Sequence, residues 1–509
     1  MLRIRDYVWV MISLGILIVF FLIFEANFSG TRTFGSNTKP LNLSDEELVH
    51  AATPEESDYW EEVLVIYGSN KENNYRKNVC NQLANLKIPY RMVAQPSQCP
   101  TQAWMKAKII ILAMDNLGEL KDADLLFAYV QQGKNLIVCN CNGLNGAEEC
   151  QDQFGVVSLD GKKTLEGMIV FQGLLVQGLQ YYFDYEIKTN NVHLDAFCKS
   201  WISEYNSKQN SATKDKVSLL WERKAEDGRI FVFNNTFLVN GEGLGLFTSV
   251  LAELKGTLVY PIVNIKLELI DYMPDVSNGK EDLLQELYYR NEESVVKDIF
   301  WPSIEKILSQ NDILGTFYPH VSEEDRASKG YQYLKKEMEK KGYEVCENGI
   351  VGQYRGIAVP IGLTGHEYNE QSVFKMQNQM TAMGMVSHCT NMREVLGTYG
   401  SSDENEWSDY SLKLSKLLYA TYKDADWMEK ATLSSGMEAY ERYLLMEPEV
   451  TDDGKSIHVK IDNFHDYAYL MVHTDKELHI VSNDAYKITE VGDDFYLLTM
   501  YKKEADIIY

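Results

Sequence analysis

An α/β chain of several units is what this sequence predicts, and three observations carry the expectation. Short apolar runs alternate with helix-period segments from about residue 60 to residue 447; the pattern changes to strict alternation after Pro448; and one long apolar stretch stands apart at the N-terminus. At 509 residues, with 45% hydrophobic and 12% aromatic residues, the chain is too long for one core and too apolar to be disordered.

The N-terminal stretch "MLRIRDYVWVMISLGILIVFFLIFEANFSG" carries Arg3 and Arg5 ahead of roughly seventeen uncharged residues from Val8 to Phe24, near the lower limit for a membrane span. No small-x-small cleavage site follows a short apolar core, so residues 1–29 are expected to be an uncleaved signal anchor rather than a signal peptide. Basic residues are held on the cytoplasmic side, which gives a single-pass protein of the cell membrane with a cytoplasmic N-terminus and an extracytoplasmic bulk. Residues 30–59, polar and turn-rich, are expected to form a stalk.

Residues 60–256 read as a first α/β domain. The runs "EEVLVIYGSN", "KIIILAM" and "KNLIVCNC" alternate with the helix-period segments "NYRKNVCNQLANLK" and "ADLLFAYVQQG", and the unit closes on "DGRIFVFNNTFLVNGEGLGLFTSVLAELKG". Such alternation predicts a flavodoxin-like parallel sheet covered on both faces. Residues 257–447 read as a second α/β domain, opened by the apolar strand "YPIVNIKLELID" and continued through the helix "VVKDIFWPSIEKILSQN", the strand "ILGTFYP" and the helix "SKGYQYLKKEMEKKG". It ends in two amphipathic helices, "WSDYSLKLSKLLYATYKDADW" and "SGMEAYERYLLM". Residues 448–509, with "SIHVKIDN", "AYLMVHT", "ELHIVS", "AYKITEV" and "DFYLLTMY", predict a small antiparallel β-domain.

A net charge of -25 sets a repulsive field against phosphates, so nucleic acid is excluded as a ligand class and anionic lipid is disfavoured. The eight cysteines form no CxxC pair, which argues against a zinc ribbon; an exported location permits disulfides, with Cys80 and Cys99 or Cys141 and Cys150 as candidate loop closures. Gly68 alone after the first strand is too little for a phosphate cradle. Cys141, on a strand-to-loop turn with Gly143 two residues on, has the outline of a nucleophile elbow, although Cys139 occupies the first glycine position; a partner imidazole would be His193, and a buried thiol is the simpler reading. His465, His473 and His479 fall on mixed faces of the C-terminal strands and read as surface residues.

Asp271 closes the apolar strand that opens the second unit. An acid there either starts a turn or faces a site beyond the strand's C-terminal end. In "GHEYNE", His366 and Glu370 stand four apart, so one helical turn would bring both to one side as metal ligands; isolated pairs of this kind are also ordinary surface residues. His388, in "GMVSHCTN", is either a general acid at a strand end or a packed imidazole.

Together "GRIFVFNNTFL", "YPIVNIKLELIDYMPDV", "DIFWPSIEKI", "GHEYNE", "GMVSHCTN" and "YKDADWMEKAT" resemble a bacterial family of membrane-anchored proteins. In that family a NodB-type polysaccharide deacetylase-like (β/α) barrel follows an amidotransferase-like α/β domain, and some members are similar to the deacetylase part of Pel exopolysaccharide proteins. The resemblance implies that Asp271 is the catalytic base, that His366 and Glu370 belong to the shell of a divalent metal such as zinc, and that His388 is the acid. It also marks three departures: Tyr272 stands where the family has a second, metal-binding Asp, Glu370 where it has a second His, and Asn391 where another His is usual. Deacetylation needs a metal with an open position, a base and an acid, and a phenol is a poor ligand near neutral pH. The expectation is therefore a degenerate barrel in a glycan-binding or assembly component of exopolysaccharide synthesis or export, with polysaccharide and a synthase or export component as partners; the alternative is an active metal-dependent deacetylase of N-acetylated amino-sugar polymer.

Overall fold

The computed structural model describes residues 62–176, 179–206, 216–276, 279–355, 357–396 and 407–509; the expected anchor at 1–29 and stalk at 30–59 lie outside them. Among the described residues no helix is long and apolar enough to cross a membrane.

The first sheet is built as its apolar runs predict. Strands β1 (Val63–Ile66), β2 (Tyr90–Val93), β3 (Ile109–Leu112) and β4 (Asn135–Val138) pair in parallel in the order β2-β1-β3-β4. Strands β1, β3 and β4 are buried and carry almost only Val, Ile and Leu, as a sheet sandwiched between helices requires, whereas the edge strand β2 carries Tyr90, Arg91 and Met92 and is only partly buried. The chain then adds an antiparallel extension that period counting did not resolve. A hairpin of β5 (Val156–Leu165) and β8 (Ile187–Leu194) stands apart. Strands β6 (Met168–Val170), β7 (Tyr181–Phe183), β9 (Cys198–Glu204), β10 (Ser218–Ala225) and β11 (Gly228–Phe233) complete a nine-stranded sheet ordered β2-β1-β3-β4-β11-β10-β9-β6-β7, with β11 parallel to β4.

"YPIVNIKLELID" is two strands, not one. β12 (Thr257–Pro261) pairs antiparallel with the C-terminal region, and β13 (Ile265–Asp271) enters the second α/β unit. The break falls at Asn264, whose φ of 61° turns the chain; asparagine is among the few residues that take the left-handed region readily. Around β13 lie β14 (Gly315–Tyr318), β15 (Glu344–Val345), β18 (Leu363–Thr364), β19 (Met385–Asn391) and β20 (Glu429–Ala431), all parallel, while β16 (Gln353–Tyr354) and β17 (Ile357–Ala358) form a small hairpin. The order β15-β14-β13-β19-β18, with β20 also on β13, is an open six-stranded sheet, where a degenerate (β/α) barrel was expected. Two strands of only two residues each bound it, which leaves too little ladder to curl the sheet shut.

Helices cover the sheet where helical spacing predicts them, at Trp301–Gln310, Lys329–Lys340, Trp407–Tyr422 and Leu433–Leu445, and at Glu370–Met383 as well. Pro302 lies in the first turn of Trp301–Gln310, directly after a π-type turn at Val296–Phe300; its missing N–H would break a regular ladder, and the widened turn absorbs it.

The C-terminal strands β21 (Pro448–Asp452), β22 (Ser456–Ile461), β23 (Ala468–Thr474), β24 (Tyr486–Gly492), β25 (Phe495–Met500) and β26 (Glu504–Ile508) form two antiparallel sheets, β12-β23-β25-β24 and β21-β22-β26. "ELHIVS" contributes no strand to either. His473 is not a surface residue: it is buried, stacks on Phe495 with ring centroids 4.0 Å apart, and burial pushes its pKa down to about 3. All eight cysteines are free thiols, so the loop closures considered for Cys80 with Cys99 and Cys141 with Cys150 do not occur.

Candidate functional site

Parallel strands place their C-terminal ends on one edge, and that edge gathers Asp271, Tyr318 and Asn391 in register across β13, β14 and β19. Beyond β14 the chain turns through Pro319 to His320, whose φ is 50°; beyond β13 it turns at Tyr272, whose φ is 56°. A bulky residue in the left-handed region stores of order 1 kcal/mol or more, and such strain persists only where the surroundings hold it.

What holds it here is a stack. The Tyr272 and His320 rings lie 4.3 Å apart, nearly parallel, and the Arg393 guanidinium sits 3.9 Å from the Tyr272 centroid. Arg393 Nη2 donates to Asp275 Oδ2 at 2.5 Å. Asp271 Oδ1 accepts from His320 Nε2 at 2.6 Å and from the Tyr272 backbone N–H at 3.1 Å. Desolvation raises the Asp271 carboxyl above its ordinary value, even though the His320 hydrogen bond and charge, and the nearby Arg393, pull the other way. A carboxylate orienting an imidazole at a partly open strand edge is an arrangement that can hold and move a proton.

Three residues earlier on β13, Glu268 lies opposite His388 in register, and the pair is sealed. His388 Nδ1 lies 2.8 Å and 3.0 Å from the two Glu268 oxygens, and Nε2 donates to the Gly365 carbonyl at 2.7 Å. With Nε2 committed as donor, one proton remains for Nδ1 and the carboxylate to share. Burial opposes charge on the imidazole, and the adjacent Glu268 carboxylate more than offsets that, raising the His388 pKa overall. This corrects the open reading of His388 as an acid facing a site: both nitrogens are engaged and the ring is fully buried. Its bond to Gly365, joined by one from Thr390 Oγ1, instead positions the loop that carries His366.

His366 and Glu370 do not share a helical face. Asn369 caps the helix that begins at Glu370, so His366 precedes the helix altogether. His366 is buried, stacks on Tyr410 at 4.2 Å and turns Nδ1 to Glu394 at 3.1 Å, whereas Glu370 accepts from the Tyr368 hydroxyl. Among the described residues no three His, Cys, Asp or Glu side chains converge to hold a metal ion. Tyr272 lies in the stack and both nitrogens of His388 are engaged, whereas His366 pairs through Nδ1 alone and its buried Nε2 has no hydrogen-bond partner; a single orphaned imidazole nitrogen is not a ligand set, so the residues present do not fit a resident divalent metal.

The cysteine elbow fails on two counts. Cys141 is buried with its thiol pushed well up by desolvation, and His193 bonds to Asp160 on the β5–β8 hairpin instead.

Sequence reasoning missed His320, Glu268 and Arg393. His320 was the accessible one, because it follows "ILGTFYP" directly and so stands just beyond the end of β14, near the edge where Asp271 ends β13. Glu268, a charge inside the apolar run "IKLELI", was also visible as a residue needing a buried partner, though nothing in the sequence named His388.

A family model described as "Uncharacterised protein conserved in bacteria (DUF2194)" matches residues 183–332 and 327–497, more than half of the chain. No curated protein matches it in sequence. Among solved structures it is similar to Agd3, described as a novel carbohydrate deacetylase, at 9% identity over 88% of this chain and 98% of that one, with a TM-score of 0.47. It is similar to a ThuA-like protein from Bacteroides uniformis at 12% identity over 40% of this chain and 96% of that one, TM-score 0.28. A β-galactosidase from Bacillus circulans matches at 15% identity over 40% of this chain and 33% of that one, TM-score 0.27. At these values none of the likenesses assigns an activity.

Proposed function

The chain belongs to the bacterial family described as DUF2194, a membership that fixes no activity, and from the geometry of its own site we propose that it is a deacetylase-like, polysaccharide-directed protein that binds or helps assemble glycan. The observation that carries this reading is the Asp271–His320 contact at the C-terminal edge of the parallel sheet, braced by Tyr272 and Arg393, while among the described residues the expected metal ligands do not converge on one point. In the metal-dependent reading Asp271 would take a proton from a metal-bound water. Here it orients His320, and His320 with Arg393 presents donors to a polar ligand at the edge. The acidic chain as a whole favours a neutral or cationic amino-sugar polymer.

The N-terminal apolar stretch supports anchoring in the cell membrane, with the described residues on the extracytoplasmic side and a polysaccharide synthase or export component within reach, as in Pel-like systems. The test uses the full chain purified from membranes: bound metal is measured, then acetate release from N-acetylated amino-sugar oligomers, then polymer binding. Binding without metal or release, weakened in Asp271→Asn, is the expected result. Stoichiometric zinc, with release abolished by Asp271→Asn, would overturn the proposal in favour of the metal-dependent enzyme.

A further inference from the structure

Far from that edge, the last turn of the helix Leu433–Leu445 meets the loop between β22 and β23 around a cavity of about 250 Å³. That is close to the lower end of ligand-site volumes, which suits one small ring rather than an extended molecule. Arg442, Met446, Asn463, Phe464, His465 and Tyr467 line it. The loop is tightly built: the Tyr467 backbone N–H donates to the His465 carbonyl, Asp466 takes a φ of 55°, and Asn463 Nδ2 donates to the Leu445 carbonyl at 3.2 Å. Arg442 is buried, its guanidinium 5.0 Å from the Tyr467 ring.

The lining combines aromatic surface with planar donors and acceptors on an apolar floor. Phe464 and Tyr467 offer contact area at low entropy cost, and Arg442, Asn463 and His465 supply hydrogen-bonding groups of both kinds. The charge around it is net negative. Against the Arg442 guanidinium stand the carboxylates of Glu429, Glu438 and Asp466, all acting on the Tyr467 phenol, which burial keeps neutral. Such surroundings turn an anion away. A neutral polyhydroxylated ring, with apolar C–H faces and a rim of hydroxyls, matches it.

The cavity lies at the opposite end of β13 from Asp271. Tyr467 packs 5.3 Å from Tyr469, whose hydroxyl donates to Glu429, and Glu429 pairs with Ile265 at the start of β13. Asp271 is six residues further along, roughly 20 Å at 3.3 Å per residue. We propose that this cavity is a second saccharide subsite, holding one neutral pyranose residue of a glycan at a distance from the strand-edge site. The proposal rests on the glycan-directed reading above, and its test separates the two.

The probes are methyl glycosides of neutral hexoses and N-acetylhexosamines, with a uronate and a free amino sugar as charged comparators. Binding to the full chain is read by saturation-transfer NMR and equilibrium dialysis. The wild-type chain is expected to bind the neutral glycosides best. Asn463→Trp, at an exposed position where it fills the cavity without disturbing a core, should weaken that binding at least tenfold, and His465→Ala should weaken it less. The subsite is overturned if Asn463→Trp binds as wild type does, if the charged sugars bind better than the neutral ones, or if Asp271→Asn abolishes binding of the small glycosides. Polymer binding that depends on Asp271 and ignores the cavity variants overturns the subsite and leaves the strand-edge reading standing. No saccharide binding in any variant overturns both.

Discussion

Glu268 and Asp271 stand three residues apart on one strand and each meets a histidine, yet the two pairs do opposite work. Glu268 and His388 are sealed in the core, with every ring nitrogen engaged and the second bond spent on fixing the Gly365 loop. Asp271 and His320 lie at the strand's end, where His320 keeps about a third of its side chain open to solvent and both neighbours of the pair, Tyr272 and Arg393, reach the edge. The residue types are the same, and depth along β13 decides the role. In the interior a carboxylate and an imidazole share a proton and specify how strands and loop register; at the rim the same groups are available to a ligand.

The largest expected effect comes from breaking the inner pair on one side. His388→Leu leaves Glu268 buried without its partner, and truncating one member of a buried pair costs about 3–5 kcal/mol. Urea unfolding should show that loss, and the double variant Glu268→Leu/His388→Leu should recover much of it, because two apolar groups leave nothing unpaired. A single variant as stable as the wild type would mean that the pair is not a structural element. The outer pair should behave the other way round. Asp271→Asn or His320→Ala is expected to change unfolding stability by less than about 1 kcal/mol, because the pair is partly solvated. The same changes should weaken polymer binding about tenfold, or 1.4 kcal/mol. Loss of stability without loss of binding would make the rim pair structural too.

How much of this was legible follows from the same depth argument. The parallel strands of the first sheet, the helices flanking the second and the β-rich C-terminus announce themselves by period, because burial on one or two faces writes itself into neighbouring residues. Asp271 could be picked out because it ends its strand. The break at Asn264 could not: an apolar run reads alike whether it is one strand or two, and only the antiparallel partner β23, more than 200 residues away, separates β12 from β13. Likewise the four-residue spacing of His366 and Glu370 means a shared face only inside a helix, and the Asn369 cap puts the helix start between them. The short edge strands of the second sheet were hidden for a related reason, since strands of two residues leave almost no periodic trace.

A smaller effect separates the pairs by pH. Both Glu268 and His388 have raised pKa values in the folded chain, Glu268 chiefly through burial and His388 through Glu268 despite burial. The native pair therefore holds protons that the unfolded chain releases above its ordinary values of 4.5 and 6.5, so its contribution is full below those values and is lost as pH rises through the native ones. His473 has the opposite sign. Its pKa is depressed to about 3, so its contribution is present above 6.5 and is lost as pH falls toward 3. Thermal unfolding should accordingly show Tm falling on both sides of a mildly acidic maximum. The alkaline limb should flatten in Glu268→Leu/His388→Leu and the acid limb in His473→Phe, and a limb that ignores its variant would show that other groups carry it.

The smallest expected change is the most specific to the rim. Tyr272 combines a left-handed φ with a ring held between His320 and Arg393. Tyr272→Gly removes the backbone strain, a gain of order 1 kcal/mol, and deletes an aromatic contact and a cation–π contact worth about 0.5–1 kcal/mol each. These nearly cancel, so the unfolding midpoint should move little, whereas polymer binding should weaken because His320 and Arg393 lose the ring that fixes both. Tyr272→Phe keeps the ring and should bind as wild type does. If Tyr272→Gly binds normally, then the stack is not what positions the donors at the edge, and the contrast between a structural inner pair and a ligand-facing outer pair would rest on Asp271 and His320 alone.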